Sequence, residues 1–161
     1  MGKVVTLKEL VNIRKQLKAA GKNVVFTNGC FDILHRGHIE YLANAKALGD
    51  VLIVGVNTDV SVRRIKEEGR PIVEQDDRAH IVAALASVDY VCLFDEDTPY
   101  EIIQTLIPDI LVKGADWPLE KVVGKDVVEA AGGSVKTIEF FPNRSTSRII
   151  QKISRTAPVQ P

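Results

Sequence analysis

The sequence predicts an α/β fold: a doubly wound, parallel, five-stranded sheet with helices on both faces. Three observations carry this. Short apolar runs alternate with helical patterns from residue 24 to residue 153. The run at residues 51–56 is apolar without alternation, as in a strand buried on both faces. A first apolar run at 24–27 leads into a polar, glycine-punctuated junction, Asn28-Gly29-Cys30-Phe31-Asp32-Ile33-Leu34-His35-Arg36-Gly37-His38, and a helical pattern leaves from it. Sheets of this class bind ligands beyond the carboxyl ends of their strands, where strand order reverses.

The elements follow in order. Residues 6–20 read as an amphipathic helix, with Thr6 as N-cap, Glu9 as its capping-box partner and Gly21 as the stop. A strand at 24–27 and a helix at 38–48 flank the junction, and Gly49-Asp50 ends that helix. After the strand at 51–56, a turn at 57–59 opens a short basic helix at 60–66. A polar loop carrying Gly69 and Pro71 leads to a helix at 78–86, capped by Asp76 or Asp77. A strand is expected at 90–94. Thr98 as N-cap and Pro99 at the first helical position then open a helix through Leu106, and Pro108 ends it. A strand at 110–112 precedes a loop holding the only tryptophan, Trp117. A short helix at 126–131, a strand at 135–140 and a helix at 145–153 complete the pattern. Residues 1–153 read as one domain and 154–161 as a flexible tail. No internal repeat, low-complexity tract or linker stands out.

Composition narrows the function classes. The 161 residues are 45% hydrophobic and 26% charged, a soluble globular balance. Lys plus Arg and Asp plus Glu both number 21. A neutral chain lacks the basic surface of a general nucleic-acid binder. Two cysteines, Cys30 and Cys92, form no disulfide framework or metal-spaced cluster, so a reducing, cytoplasmic setting is expected. Neither a signal peptide nor an apolar run of membrane-spanning length is visible.

The junction is built for an anion. Backbone N–H groups and the dipole at a strand-to-helix turn favour negative charge, and His35, Arg36 and His38 add donors. Gly29 lets the backbone approach a ligand, and Gly37 removes a side chain where a nucleotide would rest. No Gly-x-Gly-x-x-Gly or P-loop spacing is present. No serine or cysteine motif accompanies the histidines to make a nucleophile, and no third metal ligand is suitably spaced. A second anion site is legible in Arg144-Ser145-Thr146-Ser147-Arg148, a helix start with hydroxyls and cations. Two further stretches stand out, the basic helix Ser61-Val62-Arg63-Arg64-Ile65-Lys66 and the loop Lys113-Gly114-Ala115-Asp116-Trp117. In that loop Gly114 permits close approach, Asp116 suits acceptor hydroxyls, and Trp117 covers a sugar or base or else plugs the loop.

Gly-Cys-Phe-Asp-Ile-Leu-His-Arg-Gly-His at 29–38 resembles the Gly-x-Phe-Asp-x-x-His-x-Gly-His signature of the cytidylyltransferase-like nucleotidyltransferases, whose sheet is Rossmann-like. Residues 144–149 resemble that family's Ile-Ser-x-Thr-x-Lys/Arg motif, with Arg144 where many members have an apolar residue. The resemblance implies transfer of a nucleoside monophosphate from a triphosphate to a phosphorylated acceptor, with release of pyrophosphate. It implies that His35, His38, Lys66, Arg148 and Mg2+ stabilise the charge. Gly29, Cys30, Phe31, Gly37, Arg144, Ser145, Thr146 and Ser147 would bind the nucleotide. Asp32, Arg78, Lys113, Gly114, Asp116 and Trp117 would meet the substrate, and no metal ligands are assigned.

Within the family, the segments at 59–63, 69–72, 77–78, 97–99 and 111–114 look most like the heptose 1-phosphate adenylyltransferases, in the form lacking a sugar kinase. The resemblance therefore implies ATP and a sugar phosphate as substrates, and a homodimer. The alternative is CTP with glycerol 3-phosphate, because Asp116-Trp117 keeps part of that enzyme's loop. A nucleotide-binding regulatory module and a fragment of a class I aminoacyl-tRNA synthetase are the rival classes.

Overall fold

In the computed structural model, which describes residues 1–115, 118–139 and 144–156, strands and helices alternate. They run β1 (Lys3–Val4), α1 (Leu7–Ala19), β2 (Val24–Gly29), α2 (Arg36–Lys46), β3 (Val51–Asn57), α3 (Asp59–Ile65) and α4 (Gln75–Ala83). There follow β4 (Tyr90–Phe94), α5 (Tyr100–Leu106), β5 (Ile110–Gly114), a 3-10 turn at Leu119–Lys121, α6 (Lys125–Ala130), β6 (Ser134–Ile138) and α7 (Thr146–Thr156). The strands form one parallel sheet in the order β1-β4-β3-β2-β5-β6. The fold is the expected Rossmann-like one with six strands instead of five. The added strand is β1, which pairs Lys3 with Tyr90 and Val4 with Val91. Two residues carry no periodicity, so only the ladder reveals it.

Alternate residues of each strand feed two cores. Val25, Leu52 and Val54 pack with Leu42 and Ala45 of α2 and Val82 of α4 on one face. Val24, Phe26 and Ile53 pack with Leu10 of α1, Ile103 of α5 and Val128 of α6 on the other. Helices on both faces explain why β3 is buried along its length after its first residue.

Element ends shift in places for local reasons. The Thr6–Glu9 capping box is present. α4 begins earlier than expected and is capped by Glu74, not Asp76 or Asp77: the Glu74 carbonyl accepts from Arg78 N–H at 3.0 Å. α5 has Pro99 itself as N-cap. α7 continues through Thr156, so Ser154, Arg155 and Thr156 are helical and not part of a tail. Among the described residues no helix is long and apolar enough to cross a membrane.

One buried cation ties the base of the sheet together. Arg14 is 7% exposed. It donates to the carbonyls of Leu106 (3.2 Å) and Ile107 (2.8 Å), where α5 ends in a left-handed residue, and to Asp109 Oδ1 (2.9 Å). Asp109 Oδ2 accepts from Val24 N–H at 2.7 Å, at the start of β2. Asp109→Ala leaves the buried Arg14 guanidinium without its counter-ion and the Val24 amide without its acceptor. We expect it to cost about 3 kcal/mol in urea unfolding; a loss under about 0.5 kcal/mol, the scale of an ordinary surface change, would show the tie to be idle.

Candidate active site

The chain travels β2, β3, β4 in one direction and then returns to place β5 on the other side of β2. The crevice at the carboxyl ends of β2 and β5 is therefore the switch point of the sheet. A cavity of about 450 Å³ opens there, lined by the loop after β2, Lys66, the end of β5 and residues 144–147.

The loop after β2 is shaped by a glycine and a strained residue. Phe31 adopts φ 49°, rare for a residue with a side chain, and buries its ring. A Cβ on Gly29 would lie 3.0 Å from that ring, so the glycine makes room for it. The Phe31 ring meets His38 edge-on, with centroids 5.3 Å apart at 60°.

Asp32 then turns inward, 4% exposed. Its carboxylate accepts from Arg70 Nε (2.5 Å) and from the N–H groups of Ile72 (2.8 Å) and Val73 (2.9 Å). Burial pushes its pKa up, but those two N–H groups and Arg70 outweigh burial and hold the carboxyl below the ordinary carboxylate value. Arg78, 1% exposed, donates to the carbonyls of Val73 (2.8 Å) and Cys30 (2.5 Å) and to Asp59 Oδ1 (2.7 Å). Of these two residues expected to meet substrate, Asp32 lines the cavity and Arg78 does not. Both spend their polar atoms on the protein, and together they clamp the segment at 70–73 to the loop that carries the histidines.

His35 is the N-cap of α2 in extended conformation and makes no capping bond with its side chain. Its ring instead stacks on His38, with centroids 3.9 Å apart and planes 17° apart. Gly37 permits this, because a Cβ there would sit 3.0 Å from the His35 ring. Burial and then the neighbouring His35 lower His38 to about 4; burial and then Arg144 lower His35. Two stacked imidazoles desolve each other and resist a shared double charge. Both are neutral at pH 7, each with one N–H to donate. Their Nδ1 atoms are buried and have no hydrogen-bond partner among the described residues.

The opposite wall is the start of α7. Thr146 Oγ1 donates to the Ile33 carbonyl (3.0 Å), docking that helix on the histidine loop. Ser145 Oγ accepts from Arg148 N–H (3.2 Å). Arg144, Ser145, Thr146 and Ser147 line the main cavity, while Arg148 lines an adjoining, more open one that shares His35 and Arg144. Lys113 Nζ donates to Asn28 Oδ1 at 2.5 Å, and Gly114 stands beside it. Lys66, the C-cap of α3, is exposed; its N–H donates to the Val62 carbonyl (2.9 Å), and its side chain makes no hydrogen bond or ion pair among the described residues.

Cys30 is half-buried, and burial raises its thiol pKa against the pull of Lys66, Arg78 and Arg70, which suits wall better than nucleophile. Among the described residues no three His, Cys, Asp or Glu side chains are grouped to hold a metal. Asp116 and Trp117 lie outside the described residues. Sequence reading missed Arg70, whose partner Asp32 is 38 positions away and is brought to it only by the fold.

The site gathers neutral histidine donors, two helix starts and several cations around one crevice, an arrangement suited to a polyphosphate. The family model for cytidylyltransferase-like proteins matches residues 26–152. The bifunctional protein HldE of Citrifermentans bemidjiense is 59% identical over 151 residues, covering 94% of this chain and 31% of that protein. HldE of Geobacter metallireducens is 56% identical over 153 residues, covering 95% and 31%. The chain thus spans about a third of the length of these curated relatives. Among solved structures, a lipopolysaccharide core biosynthesis protein from Thermoplasma volcanium is 31% identical with a TM-score of 0.63, covering 75% of this chain and 98% of that one. The chain belongs to the cytidylyltransferase-like family.

Proposed function

We propose that this chain transfers AMP from ATP to D-glycero-D-manno-heptose 1-phosphate, giving ADP-heptose and pyrophosphate. The carrying observation is the neutral, stacked His35–His38 pair facing the start of α7 across one cavity. The similarity to HldE and to a lipopolysaccharide core biosynthesis protein supports the acceptor, and the resemblance of the segments at 59–63, 69–72, 77–78, 97–99 and 111–114 to heptose 1-phosphate adenylyltransferases supports the nucleotide.

The acceptor's phosphate monoester is ionised near neutral pH and needs no strong base. One of its oxygens attacks the α-phosphorus of ATP in line. The new P–O bond forms as the bond to the bridging oxygen of the β-phosphate breaks, and pyrophosphate leaves with the electron pair. The work of the protein is positioning and charge stabilisation. His35 and His38 donate to the triphosphate as charge shifts onto its leaving part. The N–H groups at the starts of α2 and α7, with Lys66, Arg144 and Arg148, share the remaining charge. Mg2+ belongs to this reading as an ion that would enter with the nucleotide and offset part of the triphosphate charge. The buried carboxylate beside the cavity, Asp32, is already bonded to Arg70, Ile72 and Val73, which fits a nucleotide-borne ion better than a protein-held one. A homodimer belongs to the same reading, and sedimentation velocity decides it.

Pyrophosphate release over ATP or CTP, each with heptose 1-phosphates and glycerol 3-phosphate, tests the reading. Release is expected with ATP and the heptose; release only with CTP and glycerol 3-phosphate would replace it. His35→Ala and His38→Ala should each lower turnover by roughly two powers of ten with the fold intact, the scale of a lost transition-state donor. Near-normal turnover in both would remove the histidines from the mechanism.

The depressed His38 value also fixes a pH dependence. A folded value of about 4 against an ordinary 6.5 means that this contribution is complete above about pH 6.5. It is lost as pH falls towards 4, by up to about 3 kcal/mol if the whole shift is expressed. Proton NMR of the imidazoles should show His38 neutral down to about pH 4 and moved upward by bound ATP. An ordinary titration near 6.5, unmoved by nucleotide, would contradict the stacked, desolvated pair.

A further inference from the structure

A second, smaller chamber of about 250 Å³ adjoins the main cavity. The two share Asn28, Gly29, Cys30, Lys66 and Lys113 as a common border. Beyond that border the chamber changes character. Pro99, Val122 and Val123 supply apolar walls, and Asn57, Asp97 and Thr98 supply the polar groups.

Those polar groups are set in place by bonds outside the chamber. Asn57 Nδ2 donates to Ser61 Oγ (2.9 Å), which in turn donates to the Glu96 carbonyl (3.0 Å). Arg64 Nε donates to Asp97 Oδ1 (2.6 Å) and its Nη2 donates to the Asp95 carbonyl, while Thr58 Oγ1 bonds to Asp95. The loop between β4 and α5 is thus fastened to α3. The Asn57 amide gives one of its two N–H groups to Ser61 and keeps its carbonyl oxygen, which has a long thiol contact from Cys30 (3.9 Å), as an acceptor. Asp97 has one oxygen on Arg64 and a second to offer. The chamber therefore presents hydrogen-bond acceptors and a hydroxyl at one end and two lysines at the other.

We propose that this chamber is the acceptor subsite. The phosphate of the acceptor lies at the Lys66–Lys113 border, and its polyhydroxylated carbon chain is read by Asp97, Thr98 and Asn57. The assignment rests on the nucleotidyl-transfer reading above and deepens it. Its logic is charge order. A carboxylate repels a polyphosphate but accepts from neutral hydroxyls, and a fixed acceptor for a hydroxyl gives specificity that a hydrophobic slot cannot. The main cavity holds the histidines and both helix starts, which suits the triphosphate. The two reacting phosphates then meet at the only wall that both chambers have in common among the described residues. Asp97, Thr98 and Asn57 become specificity-determining residues, distinct from the charge-stabilising histidines.

Asp97→Asn and the isosteric Thr98→Val test this. In steady-state kinetics with ATP and heptose 1-phosphate each varied, both variants should raise KM for the heptose about tenfold or more, the effect of a lost hydrogen bond to a charged or buried group. KM for ATP should stay within about twofold, on the same reasoning that it makes no contact there. Calorimetric titration of heptose 1-phosphate alone into the full chain should show the same loss for Asp97→Asn, independent of turnover. Weaker ATP binding with unchanged heptose binding would place the nucleotide in this chamber and overturn the assignment. Unchanged binding of both would overturn it as well. A parent chain that binds the heptose in an Asp97-dependent way but releases no pyrophosphate would instead overturn the transfer reading and leave the subsite standing.

Discussion

A buried carboxylate that must be satisfied governs the active end of this fold. Asp32 lies inside the protein immediately after the strained Phe31, and its oxygens are met by Arg70 and by two backbone amides of the following loop. An isolated buried charge is expensive, so the loop after β2 and the segment at 70–73 are bound to one another. Arg78 repeats the tie from the other side, reaching the carbonyls of Cys30 and Val73 and the Asp59 carboxylate. With the loop held at both places, the stack of His38 on His35 and the edge of Phe31 becomes a fixed surface. This rigid corner fixes the direction of the two imidazole rings.

That corner divides the electrostatic work. Close stacking and burial keep the two imidazoles neutral, while the positive charge is carried by Lys66, Lys113, Arg144 and Arg148 and by the starts of α2 and α7. In the proposed transfer, neutral donors would add hydrogen bonds where charge develops without adding repulsion among the cations. The sheet supplies the geometry. Because β5 lies beside β2 on the side away from β3, Lys113 arrives opposite the histidine loop and bonds to Asn28 at the end of β2. Distant parts of the sequence thereby form one wall.

The sequence carried much of this because the signals were local. The alternation of apolar runs and helical patterns determines the sheet, and a capping box such as Thr6–Glu9 can be read within four residues. The histidine junction and the serine-rich start of α7 are contiguous motifs, and both border the cavity. What was illegible depends on partners far apart in the chain. The strand β1 exists only through its ladder with β4, and Arg14 works through two carbonyls and the Asp109 carboxylate, all more than ninety positions away. Asp32 and Arg78 were recognisable as charged residues near the site, but residue type does not tell a ligand from a strut. Their burial and their bonding partners, which only the fold supplies, show what the two side chains hold together.

The central claim is that the histidines stabilise a single in-line displacement and form no bond to phosphorus. The stereochemical course at the α-phosphorus tests it most directly. ATP made chiral at that atom by isotopic or sulfur substitution is turned over, and the configuration of the transferred phosphorus in the ADP-heptose is determined. One displacement inverts it, which is the predicted result. Retention would mean two displacements through a covalent intermediate on the protein, and would contradict the account.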